Sequence, residues 1–130
     1  MPPMKGITTL ASSLLLAACA SSTPNDPALA GHYLLQGAME MGSELLLNED
    51  GSFEAAMSYG ILDVYTRGRW SQSGDRLTLH RDRPGHNVFA PDMDLGQLID
   101  GMQLQVRPGC LAIEALDVCY AKAPTRHAAR

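Results

Sequence analysis

The side chains of this 130-residue chain best suited to chemistry lie in the stretch YGILDVYTRGR, residues 59–69. Arg67 and Arg69 carry forked donors two residues apart, and Tyr65 adds a hydroxyl on the same spacing. Such a trio can grip a carboxylate or phosphate through paired hydrogen bonds. Tyr59 and Asp63 flank it. The competing reading is a solvated sheet face on which Glu54 pairs with these side chains across strands. A second group, His80, Asp82, His86, Asp92 and Asp94, offers imidazoles and carboxylates that zinc accepts. Its spacing fits no metal motif, and Arg81 and Arg83 place positive charge within it. Met39, Met41, Met57, Met93 and Met102 carry thioethers suited to copper(I), but methionine more often fills gaps in a core. No Gly-x-Ser-x-Gly elbow is present, and none of the hairpins described next brings a histidine beside a nucleophile. The residues thus point away from an enzyme and imply no metal or other cofactor. Tyr59, Asp63, Tyr65, Arg67 and Arg69 stand as candidate contacts to a ligand or partner.

The elements that must position them are strands. Phe53, Ala55, Met57 and Tyr59 alternate with Glu54, Ala56 and Ser58; Leu77 and Leu79 sit between Arg76, Thr78 and His80; Met102, Leu104 and Val106 alternate with Gln103, Gln105 and Arg107. Period two with one greasy face predicts antiparallel sheet. Turn chemistry then predicts registers, because buried residues should oppose buried ones. A three-residue loop Glu49-Asp50-Gly51 sets Leu47 against Phe53 and Leu45 against Ala55. A two-residue Ser73-Gly74 turn sets Trp70 against Leu77 and Gly68 against Leu79, and an Asp100-Gly101 turn sets Ile99 against Met102 and Leu95 against Val106. With Trp70 and Gly68 inward, Tyr65, Arg67 and Arg69 form one outer stripe. Strands at 31–37, near 64–70 and near 117–122 bring the total to about eight. The expected fold is an all-β antiparallel meander, closed as a small barrel or folded as a tight sandwich. The stretch 81–94 is a long irregular loop, functional or poorly ordered, with room for a strand at 87–90.

The N-terminus reads differently. Lys5, an apolar run too short to span a bilayer, and small residues before Cys19 have the pattern of a helical secretory signal peptide. Leu16-Ala17-Ala18-Cys19 resembles the lipobox of bacterial lipoproteins. That resemblance implies cleavage before Cys19, lipidation of its thiol with diacylglycerol and acylation of the new amino group, giving a membrane-anchored chain. Ala20 in place of Asp implies an outer-membrane address, facing the periplasm. Residues 1–18 are then the signal peptide, 19–30 a lipidated flexible tether, 31–122 the β domain and 123–130 a disordered tail. Cleavage removes Lys5 from a chain with formal charge −4, and the acidic remainder argues against nucleic acid and against direct adhesion to anionic lipid. Cys110 and Cys119 remain as an even pair in an oxidising compartment, where a disulfide is the default. If Leu111 and Ile113 meet Val118 and Tyr120 in a hairpin, the two cysteines project from the other face, directly across from each other.

The motifs Gly31-x-Tyr33-x-Leu35-x-Gly37, then Gly42-Ser43 with Leu45, Leu47, Asp50, Gly51 and Phe53, then Ser58-Tyr59-Gly60 with Asp63, and Gly68 with Trp70, resemble those of small exported bacterial proteins of lipocalin-like architecture, over residues 31–80. The resemblance implies a barrel and carries over no catalytic residue. The expectation is a lipid-anchored envelope protein that binds a small apolar ligand or an envelope partner. The alternatives are an inhibitor-like or structural module docking an envelope enzyme, and a periplasmic metal-binding protein.

Overall fold

The computed structural model describes residues 2–3, 24–82 and 95–124. Among these, eight antiparallel strands close into one barrel in sequence order. They are β1 Gly31–Gln36, β2 Met41–Leu47, β3 Ser52–Tyr59, β4 Leu62–Ser73, β5 Arg76–Arg81, β6 Gln103–Arg107, β7 Cys110–Ile113 and β8 Val118–Lys122. The ring shuts where β8 meets β1, with Leu35 opposite Tyr120. The fold is thus the lipocalin-like barrel, not the sandwich. Alternation is the cause: from Val64 to Trp70 every second residue of β4 is buried and those between are exposed. A sheet with one greasy face removes both its edges and its exposed apolar surface by closing on itself.

The β2–β3 hairpin has the expected register, Leu47 opposite Phe53 and Leu45 opposite Ala55, with Gly51 in the left-handed conformation at φ +87°. The β4–β5 hairpin departs from expectation by two residues. Trp70 faces Leu79 and Ser73 faces Arg76, so the loop is Gly74-Asp75 and not Ser73-Gly74. A two-residue loop wants positive φ at its first central residue, and Gly74 supplies φ +61° there. The expected hairpin at Asp100-Gly101 does not form. Leu95–Leu98 is a 3-10 helix, and β6 pairs instead with β5, Leu77 opposite Leu104. Leu95, Leu98 and Ile99 have the i, i+3, i+4 spacing of a helical face, which overrides a strand reading. The turn drops Ile99 into the core at 2 % exposure. Beside it, the Leu79 N–H donates to the Met102 carbonyl and the Gly101 N–H donates to the Leu79 carbonyl.

The last hairpin puts Leu111 and Ile113 on one face with Val118 and Tyr120 as expected, but its register lies two residues away: Leu111 faces Tyr120, Ile113 faces Val118, Cys110 opposes Ala121 and Cys119 opposes Ala112. The cysteines are therefore diagonal, not directly across. A Cα–Cα distance of 5.9 Å still suits a disulfide, and the bond joins them. It contributes about 2–3 kcal/mol by loop-closure entropy. The turn lacks glycine because Asp117 takes the left-handed position after the 3-10 turn Glu114–Leu116.

Inside the barrel, Phe53, Leu45, Leu47, Leu77, Leu79, Ile99, Leu104 and Leu111 are fully buried, joined by Tyr33, Trp70 and Tyr120. Each large apolar side chain removed from water stabilises the fold by about 1.5–3 kcal/mol. Met57 and Met102 pack against this core, which is the ordinary use of methionine. Tyr120 is buried and donates to Ser43 Oγ (2.7 Å), because the Ser43 hydroxyl gives its own proton to the Ala56 carbonyl (3.0 Å). Gly68 lies where β4 and β5 crowd together: a Cβ there would stand 1.9 Å from the His80 carbonyl oxygen and 2.6 Å from the Arg81 Cα.

Alternating connections give the barrel two ends. The turns at 48–51, 74–75 and 108–109 lie at one end, where the chain also enters β1 and leaves β8; the connections 37–40, 60–61, 82–102 and 114–117 lie at the other. At the first end the segment expected to be a free tether is tied down over its last residues. Asn25 Nδ2 donates to the Trp70 carbonyl and Asn25 Oδ1 accepts from the Gln72 N–H, both at 2.9 Å. Asp26 caps the 3-10 turn Pro27–Leu29 by accepting from the Ala28 N–H. Tyr33 OH donates to the Leu29 carbonyl (2.7 Å) and Lys122 Nζ to the Ala28 carbonyl (2.8 Å). Burial raises the Tyr33 pKa above the usual tyrosine value. Residues 25–29, expected to belong to a free tether, are therefore held to the barrel. The expected tail is likewise held at its start, by the Ala123 N–H donating to the His32 carbonyl. Residues 125–130, Cys19 and all of the expected signal segment but residues 2–3 lie outside the described residues.

Candidate functional site

The outer face of β1–β4 carries the candidate residues, because inward Trp70, Gly68, Thr66 and Val64 force Arg69, Arg67, Tyr65 and Asp63 outward. Four of the five expected contacts thus share one exposed stripe. Tyr59 does not. It follows Phe53, Ala55 and Met57 on the inner-facing parity of β3 and emerges half-exposed at the barrel's end, opposite Leu62. Alternation alone separates residue 59 from residues 63–69 only when the intervening turn is counted, and that turn is Gly60-Ile61.

The stripe's electrostatics oppose an anion clamp. Arg69 is spent on structure, donating from Nη2 to the Asp50 carbonyl at 2.9 Å. Arg67 stands directly opposite Glu54, whose carboxylate accepts from Tyr65 OH at 2.5 Å. That hydrogen bond, with desolvation and the Glu54 charge, raises the Tyr65 pKa, and Arg67 works against the rise. Asp63 accepts from the Ser58 hydroxyl at 2.7 Å. Nearby, the Ser52 hydroxyl and N–H both donate to Asp50 and hold its carboxyl below the usual range. Arg69, Tyr65 and Asp63 each have a local partner in the stripe, and Arg67 faces Glu54 across the strands.

Beside it runs a groove of about 480 Å³ that sequence reasoning missed, lined by His32, Glu44, Leu46, Glu54, Ala56 and Tyr65 among others. Its floor is apolar and its walls are acidic, with Glu44 reaching His32 at 3.1 Å. The signal was present in the β2–β3 register, which sets Leu46 against Glu54 and Glu44 against Ala56. Of the expected metal alternatives, His80 sits at 3.4 Å from the Ser71 hydroxyl on the outer face, and the Asp82 N–H bonds the Arg67 carbonyl. His86, Asp92, Asp94 and Met93 lie outside the described residues, as does the strand expected at 87–90. Met39 is exposed and Met41 half-buried. Thr66 is buried with an unpartnered hydroxyl oxygen.

Comparison of the chain with models of protein families, with curated proteins and with solved structures finds no match.

Proposed function

We propose that this chain is a lipid-anchored, non-catalytic binding module of the bacterial cell envelope that holds a protein partner on its outside. The observation that carries the reading is the filled interior. Tyr33, Phe53, Trp70 and Tyr120 meet a set of fully buried leucines, and Ile99 joins them from the β5–β6 connection. A narrow eight-stranded barrel packed with its own side chains offers its surface for recognition, in place of the chamber that a wider barrel keeps for a small apolar ligand. The Leu16-Ala17-Ala18-Cys19 motif supports an anchor at Cys19, and the Cys110–Cys119 bond fits an oxidising compartment such as the periplasm. Ala20 supports delivery to the outer membrane.

The test has two arms. Cells fed labelled palmitate should label the wild-type chain and leave Cys19→Ser unlabelled; equal labelling sinks the anchor. Cross-linking the acylated protein in its own membranes, then purifying it, should recover a defined protein partner at stoichiometric yield. Recovery of a lipid or small molecule without protein would transfer the reading to ligand carriage.

A further inference from the structure

The connections at one end of the barrel all expose large apolar side chains. The β1–β2 connection carries Met39 (89 % exposed), β3–β4 Ile61 (79 %), β5–β6 Leu98 (63 %) and β7–β8 Leu116 (61 %). Tyr59, at the last position of β3, adds a half-exposed ring to the same rim. Among the described residues, the turns of the opposite end, 48–51, 74–75 and 108–109, contribute none of the large exposed apolar side chains. Lone exposed leucines are ordinary, but one on every connection around a single rim forms the kind of patch that marks contact with another molecule.

Carboxylates border the patch: Glu40, Asp63, Glu114 and Asp117 are all exposed. Two of them stand in costly conformations. Glu40 and Asp117 have φ +63° and +51° at this rim, beside Gly37, Gly60 and Gly101 in its other positive-φ positions, while the turns of the opposite end fill theirs with Gly51, Gly74 and Gly109 alone. Only glycine adopts that region without a steric penalty. An acidic side chain standing where glycine fits best points to a use for the side chain itself. Of the basic groups near this rim, Arg107 lies 3.9 Å from Glu114, and Arg81 lies 3.7 Å from Asp100. The described rim is therefore apolar at its centre and net acidic at its border.

We propose that the rim formed by Met39, Tyr59, Ile61, Leu98 and Leu116 docks a protein that presents an apolar patch bordered by lysine or arginine. The assignment rests on the protein-binding reading above and names its surface. Charge decides the occupant. An anionic bilayer is repelled by the acidic border, and the chain enters the barrel from the opposite end, so a lipid at Cys19 would leave this rim facing away from the anchoring membrane. A second copy would set acidic border against acidic border. A basic partner satisfies both the patch and its border.

The test places a photo-crosslinking phenylalanine derivative at Ile61, Leu116, Arg67 or Asp75 in the full chain, expressed in its native cells. The expected result is an adduct from positions 61 and 116 only, with mass spectrometry locating the contact to an apolar segment flanked by lysine or arginine. Adding Met39→Asp should cut the adduct yield from position 61 roughly tenfold, as loss of a central apolar contact does. Glu40→Gly and Asp117→Gly serve as the second variant pair. They relieve the left-handed backbone and so raise the melting temperature, yet they lower the adduct yield from position 61, which separates a lost contact from a lost fold. Adducts from position 67 alone would overturn the rim assignment and leave the protein-binding reading standing. Adducts with lipid, with a second copy of the chain, or with an acidic segment would overturn the proposed occupant. No adduct from any position in a folded chain would overturn the rim and the protein-binding reading together.

Discussion

The two ends of this barrel share glycine-bearing turns but differ in what else those connections carry. At the end where the chain enters and leaves, turns are short and polar, left-handed positions belong to glycine, and the incoming segment is stitched down by Asn25, Asp26, Tyr33 and Lys122. At the other end each connection holds an apolar side chain out to solvent, and Glu40 and Asp117 join Gly37, Gly60 and Gly101 at positive φ, in conformations that glycine would relieve. One end is arranged for stability and the other gives some up. That asymmetry within a single small barrel supports the proposed docking rim better than any lone cluster of side chains does, because proteins concentrate unfavourable local choices where a contact requires them.

The comparison can be broken or sharpened by substitution. The largest effect is expected at the waist between the ends. Gly68→Ala places a Cβ within 1.9 Å of the His80 carbonyl oxygen, and urea titration should show a loss of roughly 3 kcal/mol or more; a loss under about 1 kcal/mol would mean that β4 and β5 can separate there at little cost.

Next comes the polar pair set inside the barrel toward the loop-bearing end. Burial raises the Tyr120 pKa above its ordinary value of 10.0. The unfolded chain therefore releases this proton first as pH rises. Stability should be level with respect to this group below pH 10.0, then fall by about 1.4 kcal/mol per pH unit until the folded tyrosine itself ionises. Tyr120→Phe should flatten that part of the alkaline limb in chemical denaturation at stepped pH.

At the stitched end, Asn25→Ala removes both the bond to the Trp70 carbonyl and the acceptor for the Gln72 N–H, costing about 1–2 kcal/mol. Hydrogen exchange should then quicken at Gln72 while the β2–β3 ladder keeps its protection. The smallest effect has the opposite sign. Glu40→Gly at the other end should stabilise by about 1 kcal/mol in the same titration, through relief of the left-handed conformation.

How far all this was legible depends on which question the residues were asked. Alternation settled facing almost everywhere, so the outward position of Tyr65, Arg67 and Arg69 and the inward position of Trp70 follow from period two alone. Register is a harder quantity. Sliding one strand by two residues leaves every side chain on the same face, so opposing Trp70 to Leu77 or to Leu79 satisfies the same greasy pattern. The Cys110–Cys119 pair shows the same blindness, diagonal where the alternation allowed it to be level. What discriminates is turn chemistry: Gly51 defined its loop without ambiguity, whereas Ser73-Gly74-Asp75 admitted two positions for the turn. The segment 95–101 failed for another reason. A short stretch with leucines three apart fits a helical face as well as a strand, and the core contact made by Ile99 decides the matter only in three dimensions. The acidic groove was open to reading from the β2–β3 register, which sets Leu46 against Glu54, whereas the apolar rim gathers residues from four connections that adjoin only when the barrel shuts.

One consequence follows from where the chain begins and ends. Lys122 and Ala123 hydrogen-bond to Ala28 and His32 respectively, so the entry and exit of the domain already touch. A circular permutant, with residues 24 and 124 spliced through a short linker and new termini opened between Gly60 and Ile61, would retain all eight ladders while moving the point of attachment from one pole to the other. With an anchor at Cys19 as proposed, the same cylinder hung that way round would turn its oily crown toward the membrane and its quiet base away from it.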